Sequence, residues 1–186
     1  MISIIQLIDA DITLRPFRME DSMQLGEAVQ ESLNELKPWM SWAREDYTEL
    51  TAREYITIAR SRWEERTYFA FAVTREDEFV GGCTLSSIHP IYRYCNVGYW
   101  VRTSCHGQGI AGRAAKLAAH FGFEHLGLIR AEIVVAVGNR ASMRVAEKIG
   151  AHYEGILFNR MVVGKSIYDA HMYSLLPSDF GLVARL

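Results

Sequence analysis

His106-Gly107-Gln108-Gly109-Ile110-Ala111-Gly112 is the stretch on which the reading of the whole chain turns. It follows a strand-like run over 94–102, which contains Asn96-Val97-Gly98-Tyr99-Trp100-Val101, and it opens a helical stretch over about 110–126. Gly107 to Gly112 spells G-x-G-x-x-G, a weak pattern alone and an informative one between a strand and a helix. The first amide groups of a helix have no intrahelical partner, and the helix dipole adds positive potential at that end. Glycines remove the Cβ atoms that would hold an anion away, so the stretch is expected to receive a pyrophosphate.

Two other readings compete. A Rossmann dinucleotide site needs an acid at the end of the following strand to hold a ribose. That strand, over 131–137, ends Val135-Ala136-Val137-Gly138-Asn139 with no acid, and Glu132 lies at its beginning. Strands and helices also precede the loop, whereas a dinucleotide domain commonly begins with it. The other rival is a glycine turn with no ligand.

Working outward, Ile12-Thr13-Leu14-Arg15 alternates as a strand and meets Pro16. Glu20-Asp21-Ser22 supplies capping residues for a helix to about residue 36, and Lys37-Pro38-Trp39-Met40-Ser41-Trp42 breaks it. A second helix is predicted over 51–65. Runs over 68–74 and 79–88 flank the turn Arg75-Glu76-Asp77-Glu78 and read as a hairpin. The helix after the glycine stretch places Ala111, Ala114, Ala115, Leu117, Ala118, Phe121 and Leu126 on one face, and Gly127 closes it. Residues 131–137 are nearly all apolar, as in a buried central strand. A short helix over 139–148 and strands over 151–158 and 166–176 complete one domain spanning 1–186. The fold class is α/β, a mixed, mainly antiparallel central sheet with helices on both faces.

Composition narrows the function classes. The 186 residues are 49% apolar and 23% charged, which suits a folded domain with a substantial core. A net charge of −2 gives no basic footprint, so no direct nucleic-acid partner is expected. No apolar run reaches the ~20 residues of a membrane span, so no membrane partner is expected either. The opening Met1-Ile-Ser-Ile-Ile lacks a secretory signal's basic start, and the odd set Cys83, Cys95, Cys105 forms no CxxC pair. A reducing cytoplasm is the expected location. His120 and His125 are off the i,i+4 spacing of a helical metal pair, and with His89, His152 and His171 scattered, no metal is assigned.

Val101-Arg102 through Gly112 resembles motif A of the Gcn5-related N-acetyltransferases (GNAT), written Q/R-x-x-G-x-G/A, with His106 standing where Gln or Arg is usual. Asn139-Arg140-Ala141-Ser142-Met143-Arg144-Val145-Ala146-Glu147-Lys148-Ile149-Gly150, then Glu154-Gly155, is similar to the N-x-x-S…E-K-x-G…E-G run of the Rim-like ribosomal-protein N-terminal acetyltransferases. Leu14-Arg15-Pro16 and the ending Tyr168-Asp169-Ala170-His171-Met172-Tyr173-Ser174-Leu175 resemble that branch too. The resemblance spans about residues 11–176. It implies a GNAT-type sheet, acetyl-CoA as cosubstrate, and a protein N-terminus or small amine as acceptor. It implies that Tyr99, Trp100 and Val101 meet the cosubstrate's arm through their backbone, with an oxyanion donor at Tyr99 or Trp100. His106, Gly107, Gln108, Gly109, Ile110, Ala111 and Gly112 would hold its pyrophosphate, and Asn139 and Ser142 would approach it from the next helix, with Asn139 suited equally to capping that helix. Ser142 would protonate the leaving thiolate. Dimers are frequent among such proteins, so a homodimer is the oligomer to test for.

The general base is missing from its familiar places. Relatives often carry Glu two residues before the strand glycine, where this chain has Asn96, and the second familiar position falls at Arg160 or Met161. An α-amine near pKa 8 is about one-tenth neutral at pH 7, a cost of about 1.4 kcal/mol; a lysine near 10.4 costs about 4.6 kcal/mol. Asn96 with Ser86 or Ser87 and water meets the first demand more easily, which favours an α-amine. A polyamine would want the acids Glu31, Glu35, Glu45, Asp46 and Glu49; a non-catalytic acetyl-CoA sensor would need no base. Cys105 reads as a small loop residue. Trp39 and Trp42 suit an acceptor groove or helix packing equally, and Asp169 suits orienting the acceptor end or, preferably, a local backbone role.

Overall fold

The computed structural model describes residues 5–184. Its strands are β1 (Leu7–Asp9), β2 (Ile12–Pro16), β3 (Phe69–Arg75), β4 (Glu78–Ser86), β5 (Tyr94–Val101), β6 (Arg130–Ala136), β7 (His152–Val163) and β8 (Ser166–Leu175). Its α-helices are α1 (Ser22–Glu31), α2 (Leu33–Leu36), α3 (Glu49–Glu64), α4 (Ile110–Leu126) and α5 (Arg140–Lys148). The strands form a sheet in the order β1-β2-β3-β4-β5-β6-β8-β7, and β5 with β6 is its parallel pair. The expected α/β architecture is therefore present, and α4 and α5 start where the sequence placed them.

Period-two alternation splits the core across the sheet. Phe69, Phe71 and Val73 of β3 join Ala114, Ala115 and Ala118 of α4 on one face. Ala70 and Ala72 turn the other way, against Leu25 and Val29 of α1 and Ile56 of α3. Small residues on the second face let α1 and α3 lie close; large ones on the first fill the space under α4. The end of β2 is tied to the start of α1 by a buried ion pair. Arg15 donates from Nη1 and Nη2 to Asp21 Oδ2 and Oδ1 at 2.8 and 2.7 Å, and Arg18 N–H donates to Oδ2 at 2.7 Å. The Leu14-Arg15-Pro16 motif thus has a folding role.

Three features depart from the sequence reading. β1 was not anticipated, because Leu7-Ile8-Asp9 is too short to show a period. The first helix stops at Ser32 rather than continuing to residue 36. Ser32 leaves helical geometry, with φ −102° and ψ 10°, and its buried Oγ accepts from Thr103 N–H at 3.0 Å. A long-range hydrogen bond thus overrides local propensity. Finally, β7 runs on to Val163, with register shifts near Gly155 and between Leu157 and Met161 that hide its alternation. Among the described residues no helix is long and apolar enough to cross a membrane.

Candidate active site

A wedge opens in the middle of the sheet. β5 and β6 pair at Tyr94 with Arg130, Cys95 with Ala131 and Asn96 with Glu132, and the ladder then stops. On its other side β5 remains paired to β4 from Asn96 through Val101. Arg102 N–H donates to Val80 O of β4 at 2.9 Å, so by alternation the amides of Val97, Tyr99 and Val101 turn away from β4, toward the gap. Trp100 turns its backbone to β4, and its indole lies over Gly82, where a Cβ would sit 2.8 Å from Nε1. Of the two oxyanion donors expected, the Tyr99 amide has the direction and the Trp100 amide does not.

The glycine turn sits at the open end of this wedge. Gly107 and Gly109 have φ of +78° and +75°, and a Cβ on either would meet nothing within 4 Å. Such left-handed geometry favours glycine, and the space above both is open to a ligand. Gly109 is the N-cap residue of α4, so the amides of that helix's first turn face the same space. Behind the turn, Ile110 and Gly112 are buried, and a Cβ on Gly112 would come 2.7 Å from Cγ2 of Ile149, the C-cap residue of α5. His106 acts through its ring, whose Nε2 donates to Val101 O at 2.9 Å, while its own amide bonds to Thr103 O. Gln108 Oε1 accepts from Arg75 of β3, a residue the sequence gave no reason to place here. The segment before the turn is anchored by α1. Glu31 accepts from Arg102 and from Ser104 N–H, and the Arg102 guanidinium holds its carboxyl down at about 2.

Ser142 lies on the α4 face of the wedge. Asn139 caps α5, accepting from Ser142 N–H at 3.1 Å, which fixes the first turn. Tyr99 Oη lies 3.1 Å from Ser142 Oγ and donates to Ser142 O at 3.2 Å. Burial pushes the Tyr99 phenol up to about 12, so it stays protonated at neutral pH. Sequence reading assigned Tyr99 only its backbone; that its hydroxyl meets Ser142, 43 residues away, needed the register of the sheet.

Asn96 points to the opposite face from Tyr99. Its Oδ1 is buried with no hydrogen-bond partner among the described residues. A buried acceptor left so costs on the order of 1–3 kcal/mol, so Asn96 Oδ1 carries an unmet demand for a donor. The aromatic loop borders the same face: Trp42 lies 5.8 Å from Trp100, ring to ring, and Trp39 lies 6.2 Å from Tyr168. The five acids near this loop are each engaged. Glu31 meets Arg102, Glu35 accepts from Thr103 Oγ1, Glu45 faces Lys37, Asp46 faces Arg44, and Glu49 accepts from Ser22 Oγ. Asp169 accepts from Asn159 N–H, the local backbone role expected of it. Cys83, Cys95 and Cys105 are free, buried thiols. Among the described residues no group of three His, Cys, Asp or Glu side chains is placed to hold a metal ion.

The open turn, the wedge and the orphaned Asn96 oxygen fit a long cosubstrate with a phosphate end and a reacting end. Comparison with known proteins gives that cosubstrate its identity. Residues 11–152 match the family model described as the acetyltransferase (GNAT) domain. The Bacillus subtilis protein named "Putative ribosomal N-acetyltransferase YdaF" is 27% identical over 174 residues, 93% of this chain and 95% of its own. The spermidine N(1)-acetyltransferase of Escherichia coli K12 is 26% identical, over 86% of this chain and 82% of its own. The structure of Mycobacterium smegmatis RimJ in complex with CoA-disulfide superposes with a TM-score of 0.85 at 25% identity, covering 93% of this chain and 85% of that one.

Proposed function

The chain belongs to the GNAT family of acetyltransferases and uses acetyl-CoA, and from that premise we propose that it acetylates the N-terminal α-amine of a ribosomal protein. The observation that carries the reading is the wedge between β5 and β6, with a hydroxyl pair on one face and an unpartnered amide oxygen on the other. In this reading thiol chemistry and amine chemistry take separate sides of one opening.

In this reading the chain's residues divide the work. The amides of Gly107 to Gly112 and the start of α4 hold the pyrophosphate, with Asn139 close by. Val97, Tyr99 and Val101 hold the arm through their gap-facing amides, and the Tyr99 N–H stabilises the charge that develops on the acetyl oxygen. Ser142 gives its proton to the departing sulfur, and the Tyr99 phenol stands behind it as a second proton. Asn96 Oδ1 accepts from the incoming amine and orients it. Acetyl-CoA supplies the activated acyl group.

For the acceptor, the name of YdaF supports a ribosomal protein, and the cost of neutralising the amine supports an α-amine. A polyamine acceptor is favoured by the likeness to spermidine N(1)-acetyltransferase. Against it stands Glu31, held by Arg102 and by Ser104 N–H; Glu45 and Asp46 are largely exposed. The test is thiol release from acetyl-CoA on a panel of ribosomal N-terminal peptides and polyamines, with Ser142→Ala alongside. Turnover on the peptides, and a kcat reduced on the order of 100-fold in the variant at near-unchanged CoA affinity, is expected. Equal kcat in the variant removes Ser142 from the mechanism. Tight CoA binding without turnover on any acceptor makes the protein a sensor.

A further inference from the structure

The site as described has no group to take the amine's proton. We propose that Glu132 of β6 is that group, acting through a water that Asn96 holds; this rests on the acetyltransferase reading of the wedge. Asn96 and Glu132 are direct partners in the last rung of the β5–β6 ladder, where the wedge begins. Partners in a parallel rung share a face, and the strands are about 4.8 Å apart, a span that one bridging water covers. The face is the one opposite Tyr99 and Ser142, the side that the proposed function gives to the amine. Along β5, β6 and β8 this face carries one carboxylate, and it is Glu132.

The surroundings hold the Glu132 side chain in place. Its side chain is 15% exposed, and Arg130 Nε donates to its Oε1 at 2.9 Å, which leaves Oε2 for a proton. That arginine is shared: its Nη1 and Nη2 go to Glu154 of β7 at 2.6 and 2.5 Å, and Ser174 Oγ of β8 also donates to Glu154. His152 of β7, bonded to Asp179, and the Cys95 thiol of β5 are the other titratable neighbours. One guanidinium between two carboxylates leaves the cluster a net negative charge beside the wedge. Asn96, the partner of Glu132 across the rung, is a neutral side chain.

The proton count closes. An ammonium acceptor sheds two protons as the C–N bond forms and the C–S bond breaks. Glu132 takes the first through water before attack and passes it to solvent. The second leaves the nitrogen and, relayed by water, replaces the proton that Ser142 has delivered to sulfur, so one thiol, one amide, one solvent proton and an intact serine hydroxyl result. The chain needs no further reactant.

The test is the pH dependence of kcat/KM for an N-terminal peptide between pH 6 and 9, with CoA affinity measured in parallel. With a carboxylate to deprotonate the bound ammonium, the wild-type profile is flat from pH 6 to 8. A rise of tenfold per pH unit below the acceptor's pKa overturns the proposal without any variant. Glu132→Gln should fall on the order of 100-fold at pH 7 and regain about tenfold of that by pH 9, as the amine's own neutral fraction rises. Glu132→Asp, which keeps the carboxylate, should keep the flat profile. A Gln variant that binds CoA normally and loses the same factor at every pH, or loses nothing, assigns Glu132 a structural role and ends the proposal. If the wild type turns over no amine at all, the failure is that of the acetyltransferase reading.

Discussion

Replacing Gly109 by alanine separates the turn's role in folding from its role in binding. At φ +75° a Cβ costs about 1–2 kcal/mol of left-handed strain. No atom lies within 4 Å of the new methyl, so strain is the whole cost to the free protein. For a chain of this length that is a fall in Tm of about 2–8 °C. Binding should suffer separately, because the methyl stands where the pyrophosphate must approach the amides of the first turn of α4. Loss of one charge-assisted hydrogen bond is about 1.5–3 kcal/mol, or a Kd for CoA raised roughly 10- to 100-fold. Calorimetric titration with CoA and thermal melting measure the two effects. Gly127→Ala is the control: its φ is +67°, its methyl is equally free, and it lies at the far end of α4. It should lower Tm by a similar amount and leave Kd alone. If Gly109→Ala also lowers Tm and leaves Kd alone, the stretch is a turn and not a phosphate site.

Two other perturbations probe the scaffold that holds the wedge. Asp21→Ala strands the Arg15 guanidinium in the core and should cost about 3 kcal/mol or more in urea unfolding; a loss under 1 kcal/mol would show that water reaches the site. Glu31 and Glu154 are held down to about 2 by the hydrogen bonds of Arg102 and Arg130. Carboxyls depressed in the folded state stabilise it above their unfolded pKa of about 4.3, and that contribution is lost as pH falls toward 2. Stability measured from pH 6 to 2 should therefore drop below about pH 4.5, and Glu31→Gln should shrink the drop; an unchanged acid limb refutes the Glu31 part.

Much of the framework was legible because its signals are local. The α4 helix announces itself by a glycine N-cap, a small-residue face and Gly127, and α5 by the Asn139 cap, all within a few residues. The helix break at Ser32 was not legible, since its cause is Thr103, 71 residues away. The site divides in the same way. Glycines, Ser142 and Asn96 could be named from a pattern. Their grouping into two faces of one wedge could not, since it depends on which strand pairs stop where. Arg75, the Tyr99 hydroxyl and the proposed base Glu132 are placed by cross-strand or loop contacts that no sequence period encodes. The absent glutamate at residue 96 left the acceptor side looking incomplete; the register of β5 against β6 supplies a carboxylate one strand over.

The acceptor is the most exposed point of the account, and one measurement addresses it. Incubation with acetyl-CoA and unmodified ribosomal proteins, followed by mass spectrometry of the products, locates the acetyl group. The account predicts it on N-terminal α-amines. Acetylation confined to lysine side chains, or turnover on spermidine with none on any protein N-terminus, would contradict it.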